Sequence, residues 1–271
     1  MTVVIESGFI GAEYDLNHPR IGYERVAGAL TTNVPSEDGF NAQNAETPLT
    51  YTAWQPTSVP AVWRLTFVGG GTETISYLGI GVHNIGSSGA TVTLQSFDGA
   101  TWANWGGGMS VSPDNDDAIM FLVEPAAVNG IGILIEGAVA RVGTISAGDV
   151  LEWPRKATWT GLPITESETN RYNVNQSDTG NWLGRTRIAS GLEFDMTIDN
   201  LSETFRRGEF ETFRNHANTG DGTFFVAPRP LDYPDEVAYA WSPETIRMER
   251  NVPKKEIAGS VSMSLRGYKA P

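Results

Sequence analysis

The stretch from Tyr77 to Trp105 constrains this chain most, because its apolar residues recur at every second position and so demand β-structure. Leu78, Ile80 and Val82 alternate with Gly79, Gly81 and His83, and Val92 and Leu94 alternate with Thr91, Thr93 and Gln95. Each set predicts a strand with one buried face. Asn84 to Gly89 is a polar, glycine-containing connection, and Asp98-Gly99 supplies the positive-φ positions of a tight turn into a strand carrying Thr101 and Trp102. The expected arrangement is a β-meander, with consecutive strands as neighbours.

The flanking sequence extends the pattern. Trp63, Leu65 and Phe67 alternate with Arg64 and Thr66, which predicts a strand with one wet face, whereas the unbroken run Ile119 to Val123 suits a strand covered on both faces. Ile131, Ile133 and Ile135 give a further strand, and Ala140 to Ile145 closes a sandwich. Fifteen prolines and thirty glycines among many short alternating runs favour a mainly β chain with many turns. A chain of 271 residues accommodates two domains of ordinary size. The segment Ala147 to Gly161, with Trp153-Pro154 and Leu162-Pro163, places prolines where neither a helix nor a central strand tolerates them, and predicts a linker. The expected division is 1–150, a β-sandwich with an N-terminal arm, and 151–271, and a chain ending near Gly148 is expected to fold alone.

In the second half Leu192, Phe194, Met196 and Ile198 alternate for a full strand. Asn200 or Ser202 then caps one helix over about 203–217, whose Leu201, Phe205, Phe210, Phe213 and Ala217 share a side. Strands follow at Thr223 to Ala227, Glu236 to Trp241, Thr245 to Glu249 and around Val261, Met263 and Leu265. The expectation is a second β-sandwich or barrel carrying one helix.

Composition excludes several chemistries. There is no cysteine, so neither a disulfide framework nor a thiolate ligand exists. A net charge of -13 disfavours a phosphate backbone as partner, so nucleic acid is not expected. Met1 to Ile10 lacks a basic start and no apolar run reaches membrane-spanning length, which predicts a soluble, cytosolically made protein without membrane insertion. The charge is uneven: residues 1–150 hold four Lys and Arg against fifteen Asp and Glu, a net -11, while residues 151–271 hold fifteen against seventeen, a net -2. Copies of the acidic half repel one another, so contacts between identical chains are expected after residue 150.

Two resemblances rest on quoted residues. The run His83-Asn84-Ile85-Gly86, the Thr91-Val92 strand and Asp98-Gly99 before Trp102, with Asn44-Ala45-Glu46 and Tyr51 to Trp54 upstream, resemble the centre and opening of a discoidin-like (galactose-binding-like) β-sandwich over roughly 20–147. This implies a jelly-roll sandwich with binding loops at one end, and a variable calcium site. Phe224 to Trp241, containing Asp232-Tyr233-Pro234-Asp235-Glu236-Val237-Ala238-Tyr239, and the closing Ser260 to Gly267 resemble virion structural proteins of long-tailed bacteriophages. That likeness implies a tail-tip or baseplate protein, located in the virion, made in the host cytoplasm, and assembling through its C-terminal half with other tail proteins and with its own copies in a ring or trimer.

No catalytic constellation emerges. His18, His83 and His216 lie in different elements without metal-ligand spacing, and no Gly-x-Ser-x-Gly elbow occurs. His83, beside Asn84, reads either as a turn histidine bonded to backbone or as a ligand contact. Asp114, Asp116 and Asp117 read as a solvated turn, a calcium site lacking the EF-hand glycine and glutamate, or, with Glu124, a source of paired carboxylates for glycoside cleavage. Trp54, Trp102 and Trp105 lie near predicted strand ends, where an indole either packs or stacks on a sugar. The sequence therefore predicts a non-enzymatic tail structural protein with host-glycan contact through Trp54, His83, Asn84, Trp102 and Trp105. The alternatives are a free glycan-binding module and, third, a polysaccharide or cell-wall hydrolase.

Overall fold

The computed structural model describes residues 2–9, 13–159, 162–249 and 257–270. Gly161, the expected end of the linker, lies outside them. The described residues are mainly β, in three sheets, with strands numbered along the sequence. The first sheet orders β1 (Thr2–Ile5), β9 (Ile119–Val128), β5 (Glu73–His83) and β11 (Val142–Gly148). The second orders β3 (Gly28–Thr32), β4 (Ala61–Phe67), β10 (Gly130–Glu136), β6 (Thr91–Phe97) and β7 (Trp102–Asn104), with β8 (Ser110–Val111) also on β6. The third orders β12 (Leu151–Glu152), β2 (Arg20–Gly22), β16 (Thr223–Ala227), β17 (Ala238–Trp241), β19 (Ile257–Gly267), β15 (Trp182–Ser202) and β13 (Thr158–Trp159). Here β14 (Glu168–Gln176) pairs with β15, and β18 (Met248–Glu249) with β19.

The first two sheets form a β-sandwich. Leu78, Ile80, Ile119, Phe121 and Val123 point from the first sheet into a core shared with Trp63, Leu65, Val92, Leu94, Ile131, Ile133 and Ile135 of the second. The strands at 77–83 and 91–97 are not neighbours in a meander, because they belong to different sheets. Their connection is a single helical turn, α1 (Ile85–Ser88), whose buried Ile85 carries the chain across the sandwich, with Gly89 closing the turn at φ 73°. Farther along, β6 does pair with β7 across the Asp98-Gly99 turn, where Gly99 has φ 94° and the Asp98 carboxylate accepts from the N–H groups of Ala100 and Thr101.

The strand at 77–83 is also buried on both faces rather than one. Tyr77, Met120 and Leu122 point away from the sandwich core into a second core built with the third sheet. Glycines bring the layers close: a Cβ on Gly79 would stand 2.4 Å from the Phe225 ring, one on Gly81 3.0 Å from Tyr239, and one on Gly22 2.3 Å from Tyr77. The opposite face of the third sheet receives the helices, since Phe224 meets Phe213 edge-on at 5.1 Å.

The expected sandwich or barrel in the second half thus takes the form of an open sheet, covered by the first sheet on one face and by helices on the other. The single helix expected over 203–217 is two, α2 (Glu203–Arg207) and α3 (Glu209–Ala217), because Gly208 adopts φ -97°, ψ -104° between them. Ser202 caps α2 by accepting from the Phe205 N–H. Position 150 is crossed by hydrogen bonding: β2, from the first half, pairs with β16 of the second and with β12. Buried Arg20 of β2 also meets Glu152 at 3.1 Å.

Candidate functional site

The outer face of the second sheet carries an ordered polar and aromatic arrangement. Because Trp63, Leu65, Ile131, Ile133 and Leu94 point inward, strand alternation turns Arg64, Gly130, Gly132, Gln95 and Phe97 outward. Register then aligns Arg64, Gly132, Gln95 and Asn104 in one row across β4, β10, β6 and β7, and Thr66, Gly130, Phe97 and Trp102 in the next. The two glycines leave the middle of the face low. A Cβ on Gly130 would lie 3.1 Å from the Trp102 ring, and one on Gly132 2.9 Å from Cγ of Arg64, so both long side chains rest over positions that hold no side chain.

The groups are locked together. Arg64 donates from Nε and one terminal nitrogen to Oε1 of Gln95 at 3.0 and 2.9 Å, and Gln95 Nε2 donates to Oδ1 of Asn104 at 3.0 Å. The guanidinium also lies 4.8 Å from the centroid of Trp102, which stacks with Phe97 at 5.2 Å. Partial burial lowers the Arg64 pKa, yet a guanidinium so far above neutrality stays charged. Gln95 is buried and bonded through both its oxygen and its nitrogen, whereas Trp102 is half-buried and Asn104 exposed. Such a face can stack a flat, partly apolar ring and donate to hydroxyl or carboxylate oxygens.

The other residues singled out in the sequence are placed apart from this face. Trp54 is 0% exposed, bridges to Val142 and belongs to the sandwich core, so its indole has no face for a ligand. Trp105 is also buried, donating to Glu6 Oε2 at 3.3 Å, and borders a shallow depression of about 300 Å³ that reaches Asn104. His83 is buried, and its Nδ1 accepts from the Ile85 N–H at 3.2 Å. Burial pushes its pKa down to about 4, so the ring is neutral and serves the turn. Asn84 exchanges hydrogen bonds with the backbone of Arg141, whose guanidinium lies 4.6 Å over Phe40.

The three aspartates do not converge. Asp116 accepts from the Ser87 N–H, Asp117 pairs with Lys269 at 2.8 Å, and Asp114 is exposed. Among the described residues no group of three or more His, Asp or Glu is placed to hold a metal ion. No described helix is long and apolar enough to cross a membrane. Of the site residues expected from sequence, Trp102 alone stands on the outer face, and Arg64, Gln95 and Asn104 were missed. The signal for Arg64 and Gln95 was their place as outward residues of alternating strands, but the row they form is a matter of register.

No protein-family model matches the sequence, and no curated protein matches it either. Among solved structures the chain is similar to a pectin-binding carbohydrate-binding module, at 15% identity and a TM-score of 0.39, over 46% of this chain and 92% of that one. It is likewise similar to a chitosan-binding module of a chitosanase/glucanase from Paenibacillus sp. IK-5, solved with chitotriose, at 11% identity and a TM-score of 0.38, over 46% and 98% of the two chains. A third is a family 32 module from Clostridium perfringens in complex with galactose, at 13% identity and a TM-score of 0.37, over 44% and 91%.

Proposed function

We propose that this protein binds a saccharide on the outer face of its second sheet and cleaves no bond in it. The observation that carries this reading is the row Arg64–Gly132–Gln95–Asn104 beside Trp102, a rigid set of donors next to an aromatic ring on an open sheet face. Pre-organisation matters here, because hydrogen bonds already made by Arg64 and Gln95 hold the donors in place without further loss of side-chain freedom on binding. Pectin fragments, chitotriose and galactose are suitable probes, with binding read by tryptophan fluorescence and calorimetry. Trp102→Ala and Arg64→Ala are each expected to weaken binding by about tenfold or more. Binding that survives both substitutions, or no binding of any probe at millimolar concentration, would overturn this assignment.

A second reading, a structural role in a phage tail tip or baseplate, is favoured by a different feature. The strands β14 and β15 form a two-stranded arm whose Trp182, Leu183 and Ile188 are 59%, 65% and 59% exposed, the kind of apolar surface that assembly would bury. In this reading the protein resides in the virion, contacts other tail proteins and its own copies, and presents the saccharide-binding face to the host. Labelling of purified particles with antibody against the chain tests it, and particles that lack the chain would refute it.

A further inference from the structure

The arm has two open edges. Strand β19 pairs with β15 only from Leu192 onward and ends at Gly267, after which the Tyr268 N–H turns to the Tyr239 carbonyl. From Trp182 to Gly191, β15 therefore has β14 on one side and, among the described residues, no strand on the other. Strand β14 in turn pairs with β15 alone. Unpaired strand edges are templates for another chain, and proteins ordinarily shorten or cover them. Here both run the length of an arm that also exposes Val174, Trp182, Leu183 and Ile188.

We infer that the open edge of β15 in one copy pairs with the open edge of β14 in the next, so that arms of successive copies join head to tail in one antiparallel sheet. This rests on the assembly reading above and specifies its contact. Charge selects the partner edge. Two fully overlapping β15 edges meeting about a two-fold axis would bring Arg185 of each copy, which rests on the Tyr172 ring at 3.9 Å, into the same short stretch, with Arg187 compensated in part by Glu168 at 3.7 Å, and like charges across a sheet are destabilising. The outer part of β14, Tyr172 to Gln176, carries no charge and accepts that edge without repulsion. Because the two edges differ, the contact is heterologous and closes into a ring if the rotation between copies permits.

The chain has no cysteine, so single cysteines report contacts cleanly. Val174→Cys and isotope-labelled Ile188→Cys full-length chains, mixed and treated with a short bis-maleimide, are expected to give mainly the mixed 174–188 product by mass spectrometry, with few 188–188 pairs. Light scattering is expected to show mass rising with concentration for the unsubstituted protein. A variant in which residues 172–187 are replaced by an Asn-Gly turn should stay one copy in mass while keeping the thermal midpoint of the body. Predominant 188–188 products would replace this geometry with a two-fold one. Self-association that persists in the shortened variant would sink the inference while leaving the assembly reading standing. A wild-type chain that stays one copy at the highest soluble concentration would also sink it, and the particle-labelling experiment would then decide the assembly reading separately.

Discussion

The two faces of the first sheet are built on opposite principles. Toward the sandwich, β5 and β9 present Leu78, Ile80, Ile119, Phe121 and Val123, branched or aromatic side chains that fill space against their counterparts. Toward the third sheet, β5 presents Tyr77, Gly79 and Gly81, and it is the partner sheet that supplies the bulk through Phe225 and Tyr239. Along β5 one face packs side chain against side chain and the other, at Gly79 and Gly81, ring against backbone, while β9 adds Met120 and Leu122 beside it. The lesson is that glycine in a strand need not mark a wet or weak face, since here it sets how closely a second layer approaches.

The largest test of that contrast is to remove the ring-bearing layer. A chain ending at Gly148 keeps the sandwich core but uncovers Tyr77, Met120 and Leu122 and strips β2 of its partner β16. Whereas the sequence alone predicts that such a chain folds, these contacts lead us to expect that it aggregates or unfolds without cooperativity, measured by sedimentation and thermal melting. A soluble, cooperatively melting fragment would mean that the two cores are energetically separate despite their contact.

This contrast also shows what the sequence could disclose. Strands at 61–67, 119–123 and 131–135 were legible because period and run length report burial directly, and Ile119 to Val123 announced a strand covered on both faces. Gly79 and Gly81 concealed the same fact about β5, because a glycine opposite a ring reads in sequence like a glycine in solvent. The cross-sheet step at α1 was hidden for a related reason: a polar connection of a few residues serves a hairpin or a crossing equally well, and the deciding contact is the burial of Ile85. The helix residues were legible but the break at Gly208 was not, since a lone glycine in a helical pattern is often tolerated. The arm escaped notice because Glu168 to Gly191 is mostly polar, its few apolar residues do not alternate over a full strand and none of its faces is buried, and regular apolar alternation begins only at Leu192. On the candidate site, Trp102 was legible as an aromatic at a strand start, while its neighbours Arg64, Gln95 and Asn104 meet it only through register.

Within the side-chain-filled face, Phe121→Ala is expected to cost about 3–5 kcal/mol by chemical denaturation, the usual range for emptying a buried aromatic site. A loss under about 1 kcal/mol would show that the sandwich core collapses freely around the gap, against the close packing argued here.

His83, at the end of the neighbouring strand β5, links this sheet to pH. Burial lowers its pKa from the ordinary 6.5 to about 4, so between these values the unfolded chain binds a proton that the folded chain does not. Stability from this group is therefore complete above pH 6.5 and falls as pH drops toward 4, by at most about 3 kcal/mol. Denaturation curves over this range should flatten in His83→Asn, and an unchanged slope would remove His83 from the account.

On the glycine face the expected loss is smaller, about 1–3 kcal/mol for Gly79→Ala, because the added methyl meets the Phe225 ring, which has to shift. The comparison becomes sharper if Phe225→Leu, which withdraws ring atoms, partly rescues Gly79→Ala. Additive effects of the two changes would show that they do not touch.

The smallest effect should arise where the layers part, in a cleft of about 710 Å³ lined by Glu13, Glu24, Asp149, Glu152 and Glu209 with Arg207. Burial raises the pKa of Glu24 and of Glu209, and neighbouring carboxylates add to both shifts. A carboxyl raised in this way holds its proton more tightly folded than unfolded, so its contribution is present below the ordinary value of 4.5 and is lost as pH rises through the folded value. That sign is opposite to the sign for His83, and the two regions therefore pull the pH profile in different directions. Glu209→Gln removes one charge from the crowd without shortening the side chain, and is expected to raise the melting temperature slightly at pH 7, with the gain vanishing near pH 4. Because these side chains are partly solvated, screening keeps the gain small, and it should shrink further in high salt. A melting temperature at pH 7 that falls in Glu209→Gln would mean that its charge is matched by a cation in the cleft, with Arg207 the first candidate, and the acidic crowding would then not be a source of strain between the layers.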